Sequence, residues 1–185
     1  MIRKAAAPDI DAVEKIYDEL HQAEEEGTTT IGWLRGIYPV RATAEAALDR
    51  GDLFVLEENG EILGAGIINR IQVDVYAGAP WEHEVPEDQV CVLHTLVISP
   101  RAKRRGLGRK FAGFYEAYAA ETGCSELRID TNARNLPARA MYKSLGYREI
   151  DVVPTVFNGI PGVNLVLLEK WIGGSGLEAK QDQEK

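Results

Sequence analysis

The 185-residue chain reads as a single α/β domain with a mixed sheet, and two patterns predict it. Apolar runs of strand length, such as residues 53–56 and 90–98, alternate with stretches whose apolar residues recur every three or four positions. The resulting order, β-α-α-β-β-β-α-β-α-β-β, fits one layered unit, and the length supports one core rather than two.

Each element has a local reason. Residues 2–5 form a short first strand. Pro8 stands near the start of a helix over 8–25, in which Ile10, Val13, Tyr17 and Leu20 share one face. Residues 42–49 form a second helix, ended by Gly51. The strands at 53–56 and 62–71 join through a hairpin with Asn59-Gly60 in its turn. Gly78, Pro80 and Pro86 then break all periodicity, so 74–89 reads as an inserted loop. A strand at 90–98 stops at Ser99-Pro100. Leu107, Phe111, Phe114 and Tyr118 define a helix over 106–121. A strand at 127–130, a helix at 137–145 and strands at 147–153 and 163–168 complete a domain of residues 1–172. The tail, 173–185, has few apolar residues and is expected to be disordered.

Composition narrows the function classes. Apolar residues make up 45% of the chain and charged residues 27%, and no apolar run reaches the 18 or so residues of a membrane span. Two cysteines cannot form a disulfide framework, and no His/Cys spacing suits a metal, so a cytoplasmic protein without a metal site is expected. The net charge of −8 argues against a nucleic-acid binder. Its distribution is uneven. From Asp9 to Glu26 there are eight acids and one base, whereas from Arg101 to Lys110 there are six bases and no acid. The acidic helix reads as a solvated face.

The basic stretch holds the first chemical signal. Lys103, Arg104, Arg105, Gly106, Leu107, Gly108 and Arg109 lie where a strand turns into a helix. A helix start exposes unpaired N–H groups at the positive end of its dipole, and glycines let a phosphate approach the backbone. The stretch is neither GxxxxGK[ST] nor GxGxxG, since Phe111 takes the third glycine position. A solvated basic turn is the alternative. A nucleic-acid patch would need interleaved aromatics, which are missing.

These residues also carry a resemblance. Leu96-Val97-Ile98-Ser99-Pro100 followed by Lys103-Arg104-Arg105-Gly106-Leu107-Gly108 resembles the acetyl-CoA-binding motif of the GNAT acetyltransferases, with Lys103 where Gln or Arg is usual. Asn135, Ala138, Tyr142 and Gly146-Tyr147 resemble that family's downstream segment. The resemblance implies a central mixed, mostly antiparallel sheet flanked by about four helices, and direct acetyl transfer from acetyl-CoA to an amine. It places the pantetheine arm along Leu96, Val97 and Ile98, and the pyrophosphate on the amides of residues 104–109. Asn135 is expected to touch the cofactor, and it also suits a helix cap.

An alkylamine of pKa about 10.4 is almost wholly protonated at pH 7, so a base is needed. His94 stands two residues before Leu96, where related enzymes often carry a glutamate, and is the candidate base. A core histidine with a satisfied hydrogen bond is the equal alternative. Tyr142 is the candidate acid for the departing thiolate, against a role as a packed core aromatic. Cys91 and Cys124 read as buried thiols, and Asp130 as turn chemistry at a strand end. Trp33 and Tyr38, in the connection after the first helix, are the acceptor-binding candidates, with core closure as the alternative; 157–162 is a candidate for the opposite wall. The expected reaction is acetylation of a primary amine on a small molecule or amino-acid-like acceptor. Protein lysine or N-terminal acetylation and a non-catalytic acetyl-CoA-binding module are the competing readings. No membrane or nucleic-acid partner is expected, and the sequence leaves open whether a sheet edge or the inserted loop makes a homodimer.

Overall fold

The computed structural model describes residues 1–173, so the expected disorder of 174–185 lies outside the described residues. Seven strands form one sheet: β1 (Ile2–Lys4), β2 (Leu53–Glu58), β3 (Glu61–Asn69), β4 (Val90–Ile98), β5 (Glu126–Asn132), β6 (Arg148–Phe157) and β7 (Ile160–Trp171). Their order is β1-β2-β3-β4-β5-β7-β6, and β4–β5 is its parallel pair. The helices are α1 (Ile10–Glu25), α2 (Arg41–Arg50), α3 (Leu107–Glu121) and α4 (Leu136–Ser144).

The apolar faces explain the layering. Ile10, Val13, Ile16, Tyr17 and Leu20 of α1 pack with α2 against Leu53, Val55, Ile67 and Val97 on one face of the sheet. On the other face α3 and α4 bury Phe111, Tyr115 and Tyr142 against Leu93, Leu127, Ile129, Val166 and Leu168. Gly51 ends α2 in the left-handed region at φ 75°, and Asn135 caps α4 by accepting from the Ala138 N–H at 3.4 Å.

Three expectations change. Segment 74–89 is no bare loop: it makes two short 3-10 turns and buries Tyr76 against Val90, Val92, Leu165 and Leu167, covering the part of the sheet that α1 and α2 leave open. The last two strands are longer than 147–153 and 163–168. They meet in a tight turn at Asn158-Gly159, with φ of 50° and 79°. Most β6 side chains are exposed on this edge strand, so the apolar signal fades where the hydrogen-bonded pairing continues. Finally, β5 runs on to Asn132, which puts Asp130 inside a strand rather than in a turn.

Candidate active site

The sheet opens where β4 and β5 part. Their parallel pairing runs from Val90–Glu126 to Leu93–Ile129 and stops. Just beyond, β4 carries a bulge: Ile67 pairs with His94 and Ala65 with Val97, so Thr95 and Leu96 stand opposite one residue of β3. Thr95 has φ 49° and its hydroxyl is hydrogen-bonded to Tyr38. Val97 and Ile98 pair with β3 alone, which leaves the other edge of β4 open toward the start of α3.

That opening is a cavity of about 370 Å³. It brings together Trp33, Tyr38, His94, Leu96, Asn135, Tyr142 and Phe157 from the sequence reading, and adds Asp130 and Asn69. Trp33 and Tyr38 both line the cavity and pack edge to face at 5.9 Å, so they wall the space and close the core at once. The connection bearing them meets the β6–β7 turn: a side chain begun on Gly159 would lie 3.3 Å from Ile37 Cγ2.

The polar groups of the cavity differ in what they can do. His94 Nε2 faces two acceptors, Ile71 O at 3.0 Å and Asn69 Oδ1 at 3.1 Å, so the proton sits on Nε2. Asn69 is oriented in turn, because its Nδ2 donates to Asp52 Oδ2 at 2.8 Å and its Oδ1 accepts from the Ile71 N–H. Burial pushes the His94 imidazole down to about 4, against a smaller opposing effect of the Ile71 carbonyl. Tyr142 is 5% exposed, and its phenol is raised well above its ordinary value by burial and then by the Asp130 charge, so it stays a proton donor. Asp130 accepts from the Tyr76 hydroxyl at 2.8 Å through Oδ2. Desolvation raises its carboxyl to about 6, opposed by that hydrogen bond.

Asp130 is the cavity residue that sequence reading had assigned to a turn. The signal was there: Glu126, Arg128 and Asp130 alternate with Leu127 and Ile129, which marks a strand with one charged face rather than a strand end.

The basic turn fits a pyrophosphate. Among the described residues, no hydrogen bond engages the main-chain N–H groups of residues 104–109. Gly106 adopts φ 74° with no atom within 4 Å of where a side chain would begin, so the turn presents bare backbone. Gly108 has a different reason, because a Cβ there would stand 3.1 Å from Met141 Sδ where α3 and α4 cross. Leu107 is 5% exposed and packs in the core, which leaves its N–H as the group it can offer. Several cations are already occupied: Arg105 and Lys110 both hold Glu58, at 2.6 and 3.0 Å, and Arg109 donates to Ser144 Oγ at 2.7 Å. Among the described residues Lys103 and Arg104 have no ion-pair partner.

Comparison with known proteins gives the same picture. The family model described as "Acetyltransferase (GNAT) family" matches residues 13–147. The N-acetyltransferase YhfO of Bacillus subtilis strain 168 is 25% identical over 150 residues, 80% of this chain and 89% of its own. An aminoglycoside N(6')-acetyltransferase type 1 of Serratia marcescens is 31% identical over 64 residues, 35% of this chain and 44% of its own. The fold is also that of yncA from Salmonella typhimurium, a structure solved with its cofactor acetyl-CoA. It has a TM-score of 0.66 and 18% identity, over 92% of each chain. A split sheet edge beside a basic helix start is what that family model covers here, and the chain belongs to the GNAT acetyltransferases, enzymes that acetylate an amine from acetyl-CoA.

Proposed function

We propose that the acceptor is a small primary amine, with Asp130 as the group that receives its proton and Tyr142 as the donor to the departing thiolate. The observation that carries this reading is the Asp130 carboxylate on the wall of a cavity otherwise rich in aromatic and aliphatic side chains. An ammonium entering there finds its counter-charge at the sheet opening, and it reacts as the neutral amine once one proton has passed to solvent. Bound acetyl-CoA supplies a thioester whose carbonyl carbon the amine nitrogen attacks. As that bond forms the nitrogen becomes acidic, and a carboxylate of pKa about 6 is ionised and ready at pH 7. His94, pushed down to about 4 with Nε2 committed, is the weaker base and serves to hold the wall. Leu96–Ile98, the amides of 104–109 and Asn135 are the groups to hold the cofactor, and Trp33 and Tyr38 the acceptor.

Trp33 and Tyr38 of the α1–α2 connection and Phe157, Asn158 and Ile160 of the β6–β7 hairpin wall one cavity, which supports a small molecule over a folded protein. The name of the Serratia relative supports a small amine as well. A cytoplasmic location belongs to the same reading, since both cysteines are free and buried.

The test is release of free thiol from acetyl-CoA across 2-phenylethylamine, tryptamine, spermidine, lysine and short peptides with free N-termini. Turnover is expected with the small amines, best with those on an aromatic carrier. Turnover on peptides alone replaces the small-molecule reading with the protein one. Tyr142→Phe is expected to lower kcat about ten- to a hundredfold while leaving acetyl-CoA affinity unchanged. A lost fold or weakened cofactor binding in that variant speaks for packing instead.

A further inference from the structure

Segment 70–89 does more than give Ile71 and Val73 to the cavity wall. It crosses the sheet over β4, β5 and β7, and it is seated on the three charged residues that β5 turns to that face. Tyr76 donates to Asp130 Oδ2 at 2.8 Å. The Trp81 ring lies 4.0 Å from the Arg128 guanidinium, and its Nε1 donates to the Tyr76 carbonyl at 3.0 Å. His83 Nδ1 is 3.9 Å from Glu126, and its ring is stacked on Trp171 at 4.2 Å. The rungs 76, 81 and 83 meet 130, 128 and 126 in order. The rung nearest the cavity is the one that holds the carboxylate.

We propose that Tyr76 is a positioning residue of the reaction: its hydroxyl fixes Oδ2 of Asp130 so that Oδ1 is the oxygen offered to the acceptor nitrogen. The inference rests on the reading of Asp130 as proton acceptor. A carboxylate in a cavity wall can rotate and present either oxygen. A phenol held from behind removes that freedom, because its backbone neighbours and Trp81 fix its own place. The Tyr76 ring is 2% exposed and packs edge to face on Trp81 at 5.1 Å. Burial and the Asp130 charge hold the phenol well above its ordinary value, so it keeps its proton, and the acceptor it reaches is Asp130 Oδ2. The other titratable or charged groups around Asp130 are Tyr38 of the α1–α2 connection, Arg50 of α2, His94 of β4 and Tyr142 of α4, which line the same cavity, and Arg128 on the same face of its own strand. Among the described residues, none of these hydrogen-bonds it. Tyr76 is therefore the group whose removal isolates the effect.

The test is Tyr76→Phe in the full chain, which keeps the ring and its packing. In ¹³C-aspartate NMR, with the Asp130 signal assigned by its loss in Asp130→Asn, the Asp130 titration midpoint is expected to rise by about one unit. The acid limb of kcat/KM for 2-phenylethylamine should move up by the same amount, a roughly tenfold loss at low pH regained in part at pH 9. A midpoint equal to the wild-type value overturns the proposal, and needs no turnover to be read. Tyr76→Phe with normal pH behaviour but lower thermal stability would make Tyr76 a packing residue only. Full turnover in Asp130→Asn overturns the reading of the carboxylate itself, whatever Tyr76→Phe does.

Discussion

Asp130 shows how much of the chemistry rests on one residue's surroundings. Its carboxyl is raised from the ordinary value to about 6 because the cavity wall desolvates it more than Tyr76 stabilises its charge. The sign for stability follows. A carboxyl that is harder to ionise when folded destabilises the protein above its folded pKa, and the penalty disappears as pH falls toward the unfolded value near 4. Asp130→Asn is therefore expected to be more stable than wild type at pH 8, by about 2–3 kcal/mol, with the difference gone near pH 4. Turnover at pH 8 should fall about a hundredfold or more. Denaturant melts at the two pH values, set beside rates at pH 8, check both halves. A destabilised variant at pH 8 would mean that the carboxylate holds the fold together rather than straining it. At this scale the sequence was partly legible. Tyr142 and Asn135 stood in a spaced motif and both reach the cavity. The strand place of Asp130 was legible in its alternation, but its bond to Tyr76, a residue 54 positions away, exists only once the chain has folded.

Among the elements, α1 carries more than its apolar stripe suggests. Its acid-rich C-terminal turn reads in sequence as a solvated face, yet Glu24 is turned inward to organise the next connection. Its carboxylate accepts from the Ile31 N–H at 2.7 Å, the Gly32 N–H at 3.1 Å and the Thr29 hydroxyl at 3.1 Å. Those bonds hold the stretch that ends in Trp33, so an acid on a helix sets one wall of the cavity. Glu24→Gln keeps the shape and removes the charge from these bonds, each worth about 1–2 kcal/mol more than a neutral one. Acceptor KM should rise severalfold with acetyl-CoA affinity unchanged, and the amides of Ile31 and Gly32 should exchange hydrogen faster. Unchanged exchange at those two amides would remove Glu24 from the acceptor wall. The helices and inner strands were legible because burial writes a period into the sequence. Edge strand β6 was cut short because its pairing to β7 needs no apolar side chains. Glu24 departs from the exposed acids of α1 because composition shows where charges are and not what they face.

The whole molecule resolves the contrast between an acidic body and one basic turn. The acids of α1 are largely paired: Asp9 with Arg3, Asp11 and Glu14 with Arg41, Asp18 and Glu25 with Arg35, and Glu19 with Arg101. Exposed pairs of this kind add little stability each, so their main effect is on the electrostatic map. They cancel the positive potential of Arg3, Arg35, Arg41 and Arg101. Inside the turn Glu58 does the same to Arg105 and Lys110, which in turn hold its carboxyl below the usual range. If the turn holds the cofactor's phosphates as proposed, they meet Lys103 and Arg104 unpaired among the described residues and Arg105 and Lys110 already paired with Glu58. Two opposite changes follow at low salt. Lys103→Ala should weaken acetyl-CoA binding severalfold, and Glu58→Gln should tighten it severalfold by releasing two cations that are already in place. Both effects should shrink as NaCl rises from about 0.05 to 0.5 M, where the screening length falls from roughly 14 to 4 Å. Calorimetric titration of acetyl-CoA at the two salt concentrations measures this directly. The Glu58 substitution is the sharper of the two, since damage to the fold would lower affinity and only relieved pairing raises it. Unchanged affinity in Glu58→Gln at low salt would mean that the backbone amides of the turn hold the phosphates without help from its side-chain charge.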